Sequence, residues 1–141
     1  MSTSLIPFLE MNGSANEAID FYVNALDAKV VYTLRFGDLP ANPQSPMPPE
    51  KKDLVSYAIL KIGESELQLS DNVTGSSYHK GTQVTIVVQT NDKDKAAQYF
   101  EALKQGGQVN EPLKESFFSP AYGNVTDKFG VTFRILTKGR Q

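Results

Sequence analysis

Two periodicities alternate along this chain, and the switches between them outline its elements. Leu5 to Met11 reads as a short apolar strand closed by Asn12-Gly13. Ser14 and Glu17 follow at the S-x-x-E spacing of a capping box, which satisfies two orphan amides at a helix start. Ala18, Ile19, Tyr22, Ala25 and Leu26 then recur at helical spacing, so a helix is predicted to lay one face on a core. Val30 to Phe36 reads as the next strand, and Leu54 to Ile62 with Glu66 to Ser70 as a hairpin through Gly63-Glu64-Ser65. The intervening stretch, GDLPANPQSPMPPEKKD from Gly37 to Asp53, holds five of the eight prolines. Proline removes ladder donors, so this is an irregular excursion.

The second half repeats the plan. Val84 to Gln89 is an apolar strand, and Asn91 with Asp94 offers a second helix cap. Ala96, Ala97, Phe100 and Leu103 mark a helix that stops at Gly106-Gly107, where glycine relieves a left-handed turn. Setting Phe21 against Tyr99 also sets Ala18 against Ala96 and Tyr22 against Phe100; one inserted residue later Val30 meets Val109. In TDKFGVTF, Asp127 and Gly130 bracket a tight reversal. Beyond it Val131, Phe133 and Ile135 alternate with Thr132, Arg134 and Leu136, a strand with two distinct faces. The hairpin Lys61 to Leu69 corresponds to Asp127 to Ile135. A strand–helix–three-strand unit used twice accounts for the chain, as an α+β fold with module one at about residues 4–72 and module two at about 82–138.

Composition narrows the chemistry. The 141 residues suffice for a core without staples, since a chain of this length buries about 68% of its unfolded surface. With no Cys there is no disulfide, thiol nucleophile or thiolate metal site. A net charge of −2 and no basic run give no nucleic-acid footprint. No apolar run reaches membrane-spanning length, and MSTSLIPFLEMNG lacks a basic segment followed by a long apolar one. These features predict a cytoplasmic protein with neither membrane nor nucleic-acid partner. In that compartment the sequons at Asn72 and Asn124 stay unglycosylated.

The doubled unit with Phe21-Tyr22 in its first helix resembles the vicinal oxygen chelate superfamily, which includes glyoxalase I, fosfomycin-resistance proteins, extradiol dioxygenases and bleomycin-binding proteins. Within it the chain is most similar to the PhnB-like branch, through IPFLEMNGSANEAIDFY, YAILKIGESELQLSD, ALKQGGQV and SFFSPAYGNVTDKFGVTFRI, which run in order from Ile6 to Ile135. The resemblance implies two fused βαβββ modules, curved sheets around a cleft, and a homodimer. Physically, two modules of this size leave sheet edges that want cover.

Metal-dependent members of the superfamily place ligands on the first and last strand of each module. Counting along the resemblance puts those positions at Pro7, Gln68, Thr85 and Arg134, or at Phe8 and Ile86 after a one-residue slip. Proline has no donor, threonine is a poor ligand and a guanidinium cannot ligate, so the expectation is no metal and no cofactor. Where the family carries an acidic ligand this chain has Arg134, which pairs with Glu66, Asp71 or Glu115, or recognises a ligand's carboxylate or phosphate with Gln68 beside it. The branch often carries histidine where Tyr57 stands and tryptophan where Phe118 stands, and Phe117, Phe118 and Tyr122 form an aromatic cluster read either as packing or as a lid.

His79 reads as a solvated loop residue and Ser70-Asp71 as a turn cap. No glycine-rich strand–turn–helix supports the methyltransferase label some relatives carry. The candidate ligand-binding residues are therefore Gln68, Arg134, Tyr57, Phe118 and Tyr122. Two functional classes follow: a metal-independent small-molecule binder, or a lyase-, isomerase- or dioxygenase-like enzyme with a rebuilt metal site.

Overall fold

The computed structural model describes residues 2–41, 43–44, 46–72 and 79–138, and the chain divides into two compact units, 1–78 and 79–141. In the first, strand β1 (Phe8–Met11) leads into helix α1 (Ala15–Leu26), then β2 (Lys29–Arg35), β3 (Val55–Ile62) and β4 (Ser65–Asp71). In the second, β5 (Ile86–Thr90), α2 (Lys93–Leu103), β6 (Gln108–Lys114), β7 (Tyr122–Thr126) and β8 (Thr132–Thr137) repeat that order. The sheets are ordered β1-β4-β3-β2 and β5-β8-β7-β6. In each the first strand runs parallel to the last, and the other pairs are antiparallel. The parallel pair needs a crossover, and the helix supplies part of it.

Strand alternation and the helical stripe meet in each core. Ala15, Ala18, Ile19, Tyr22, Ala25 and Leu26 of α1 are buried with Met11, Val55, Ala58, Leu60, Leu67 and Leu69 of the sheet. In unit two Ala96, Phe100 and Leu103 of α2 are buried with Val125, Phe133 and Ile135. Helix α2 sits close enough to β7 that a Cβ at Gly123 would come within 2.7 Å of Phe100 Cε1, so only glycine fits there. Ala97 is only half-buried, and Val131 lies just before β8 rather than in it.

Both expected helix caps are corrected. Ser14 occupies the N-cap of α1 but makes no side-chain cap hydrogen bond. Instead Asp71, buried at the end of β4, accepts from Ala15 N–H at 2.9 Å and from Val55 N–H at 3.0 Å. A tertiary acceptor thus satisfies the first amide of the helix, whereas the capping-box pattern pointed to a local bond from the Glu17 amide to serine. The cap of α2 is Asp92, one residue after Asn91, and its Oδ1 accepts from Asp94 N–H at 2.9 Å and Lys95 N–H at 3.4 Å. The reversal in TDKFG is built by Asp127, whose Oδ1 accepts from Phe129 N–H at 2.9 Å and Val131 N–H at 3.0 Å, while Gly130 takes φ 90°. The described residues of 37–53 are irregular apart from 3-10 turns at Phe36–Asp38 and Pro49–Lys51. Strand β1 begins at Phe8 rather than Leu5.

Candidate functional site

Each helix covers one face of its sheet and leaves the other bare. In β4, Leu67, Leu69 and Asp71 are buried toward α1, which turns Gln68 to the bare face. In β8, Phe133, Ile135 and Thr137 are buried and Arg134 is exposed, so Thr132, Arg134 and Leu136 share the bare side. Gln68 and Arg134 thus occupy matching positions in their two units.

The ladders extend each position into a row. In unit one the row is Phe8, Gln68, Ile59 and Tyr32, read across β1, β4, β3 and β2. In unit two it is Val87, Arg134, Asn124 and Glu111 across β5, β8, β7 and β6. Tyr57 and Tyr122 also match, each standing one residue before the small residue, Ala58 or Gly123, that lies beneath the helix.

The rows differ in chemistry. Phe8 is 51% exposed and stacks on Tyr57 with centroids 6.4 Å apart at 18°, and Tyr32, 46% exposed, tilts against Tyr57 at 6.2 Å. Together they make an aromatic platform, with Gln68 in the same row as Phe8. Gln68 Nε2 donates to Glu66 Oε1 at 3.3 Å. In unit two the surface is polar. A bulge in β6 sets Asn110 and Glu111 against the single β7 residue Asn124. Asn110 Nδ2 donates to Asn124 Oδ1 at 3.0 Å and to Thr126 Oγ1 at 2.9 Å, and the Thr126 and Thr132 hydroxyls are 2.8 Å apart. Among the described residues no hydrogen bond or ion pair engages the Arg134 side chain. Asp71 is held by backbone amides within its own unit.

The aromatic cluster of the sequence reading comes together. Phe118 meets Phe117 edge-on at 5.4 Å and Tyr122 at 5.1 Å. Their loop is pinned by buried Ser119, whose Oγ lies 2.6 Å from Thr137 O and 2.9 Å from Ala121 O and accepts from Ala121 N–H at 3.2 Å. Residues 115–120, the fully exposed Phe117 among them, line a surface hollow of about 390 Å³.

The family's metal does not fit these residues. On the bare faces the β1 side chain beside Gln68 is Phe8, while Pro7 gives only its carbonyl, 3.0 Å from Gln68 N. The β5 side chain beside Arg134 is Val87, two residues past Thr85. Of Phe8, Gln68, Val87 and Arg134, one can ligate. Among the described residues no three His, Asp or Glu side chains gather as a metal site, and His79 is exposed. Tyr32, Asn110, Asn124, Thr126 and Thr132 escaped the sequence reading. Their only local signals were an Asn and a Pro in QVNEPLK, poor strand formers that mark an irregular edge strand.

A family model of the Glyoxalase/Bleomycin resistance protein/Dioxygenase superfamily matches residues 10–135. The chain belongs to that superfamily. It is 28% identical to protein YjdN of Escherichia coli strain K12 over 138 residues, 93% of this chain and 92% of that one. Protein PA1353 from Pseudomonas aeruginosa is 32% identical with a TM-score of 0.84, covering 97% of this superfamily member and 98% of PA1353. The PhnB protein from Bacillus cereus shares the fold at TM-score 0.78 and 22% identity, over 96% and 99% of the two chains. No helix among the described residues is long and apolar enough to cross a membrane.

Proposed function

We propose that this protein binds a small organic molecule on the sheet faces its helices leave bare, without a divalent ion, and works as a cytoplasmic homodimer. The observation that carries the reading is the pair of matched rows. Metal-dependent relatives hold ligands on the first and last strand of each module, and the bare faces of those strands here carry an aromatic ring, an amide, an aliphatic side chain and a guanidinium. Such a set favours stacking and hydrogen bonding over Lewis-acid chemistry. Phe8, Tyr32 and Tyr57 offer apolar area, Arg134 offers a planar cationic fork, and Gln68 a neutral hydrogen bond. Phe118 and Tyr122 extend the aromatic surface of unit two.

The test is a thermal-shift and calorimetric screen of a metabolite and antibiotic panel, run with and without zinc, nickel and manganese, beside elemental analysis of protein purified without chelator. A metal-independent shift by an aromatic or acidic compound is expected. Near-stoichiometric metal in the purified protein would overturn the reading. With an acidic ligand in hand, Arg134→Leu should weaken binding by about 1.5–3 kcal/mol, the worth of a charged hydrogen bond, while the melting temperature holds. Sedimentation should give a dimer, as expected for a buried area above ~1,200 Å²; a lone 15.5 kDa species would end that part.

A further inference from the structure

We infer that the β6 bulge is a positioning device that aims the Asn124 amide beside Arg134, and that the two together take a planar monoanion, a carboxylate. This deepens the proposed function and rests on its reading of Arg134 as a recognition residue.

Gln108 Nε2 donates to Asn110 Oδ1 at 3.1 Å, and Asn110 spends its amino group on Asn124 Oδ1 and Thr126 Oγ1. Asn124 has therefore committed one of its two acceptor lone pairs and kept both N–H donors, which have no partner among the described residues. The Thr126 and Thr132 hydroxyls share one contact of 2.8 Å, so whichever donates, one hydroxyl hydrogen of the pair is left over. Arg134 adds its unengaged guanidinium. Asn124 and Arg134 are direct partners across the β7–β8 ladder, where facing Cβ atoms stand about 4.5–5.5 Å apart. Most of the spare valences on these two side chains are donors, and they call for oxygen acceptors.

Charge selects among oxyanions. Arg134 is the only cation of its row, and the same row ends in Glu111, the ladder partner of Asn124 on its other side. Lys114 belongs to the next row, opposite Tyr122 on β6, two strands from Arg134. A dianionic phosphate would meet one cation and a nearby carboxylate. A carboxylate fits the fork of Arg134 with both oxygens and keeps a lone pair for the amide. Asn110 acts only through Asn124. It exists on this face because the bulge supplies one more β6 residue than the ladder needs.

The test is a nitrogen–proton NMR titration of the full chain with benzoate, phenylphosphonate and benzamide, following the Asn124 side-chain amide and the Arg134 Nε–H. Benzoate should shift both signals, benzamide neither, and phenylphosphonate should bind more weakly than benzoate. Asn124→Asp keeps the shape but turns donors into acceptors, and should abolish the benzoate response with the backbone spectrum otherwise intact. Asn110→Ala should weaken benzoate about fivefold, one hydrogen bond's worth of ordering, and let the Asn124 amide signals collapse toward those of a free side chain. Benzoate shifting Arg134 equally in wild type, Asn110→Ala and Asn124→Asp would overturn the inference and leave the Arg134 reading standing. No response at Arg134 to any of the three compounds would overturn both. Phenylphosphonate binding more tightly than benzoate would overturn the carboxylate assignment.

Discussion

At the end of β4, Asp71 holds two backbone amides of its unit; at the matching end of β8, Thr137 is buried with a hydroxyl that has no partner among the described residues. The match is set by the parallel ladders, in which Met11 faces Asp71 and Thr90 faces Thr137. The two helices explain the difference. Helix α1 draws an acceptor for its first turn from the sheet, whereas α2 finds one next door in Asp92. A repeated architecture therefore does not repeat its polar solutions. The same holds on the bare faces, where an aromatic row in unit one stands against a donor-rich row in unit two.

Single substitutions separate the two units. Asp71→Ala strands the Ala15 and Val55 amides, and at about 1–3 kcal/mol for each buried unsatisfied group it should cost about 2–6 kcal/mol of unfolding free energy. A loss in urea titration no greater than that of Asp92→Ala would show that the two caps are equivalent after all. Gly123→Ala comes next. Ala58 occupies the matching place in unit one without exposure, yet a methyl at 123 runs into Phe100, so overpacking of about 1–3 kcal/mol is expected. Unchanged stability would mean α2 can lift away as freely as α1 accommodates Ala58. Asp92→Ala should cost about 1 kcal/mol, the usual worth of a local cap. The smallest effect has the opposite sign. Thr137→Val removes an unpaired buried hydroxyl at nearly constant volume, and a gain of up to about 1 kcal/mol is expected in the same titration.

These residues also show what the sequence could and could not reveal. The stripe Ala18, Ile19, Tyr22, Ala25 and Leu26 is legible because a helix writes its buried face at a fixed spacing, and every one of them is buried. The alternation after TDKFG is legible for the same reason, so Arg134 could be set on the face opposite Phe133 and Ile135 from letters alone. Caps were another matter. Ser14-x-x-Glu17 has the right local pattern, but the acceptor that meets Ala15 N–H lies 56 residues away, and no local rule sees that far. The aromatic platform failed to appear because Phe8, Tyr32 and Tyr57 come from three strands separated in sequence by helix α1 and the proline-rich excursion, and only the sheet register brings them together. The β6 bulge hid for a related reason, since one inserted residue changes which side chains share a face without changing composition.

The distant cap also orders events in time. Helix α2 has its acceptor two and three residues from the amides it serves, so its first turn can close as soon as those residues meet. Helix α1 must wait for β4 to return across 56 residues, the prolines of 37–53 among them, before Asp71 can reach Ala15. Closing a loop of that length costs chain entropy that only long-range packing repays. Folding of unit one is thereby tied to its last strand: the start of α1 locks when the sheet is complete, and a chain halted before β4 would carry a helix with a frayed beginning.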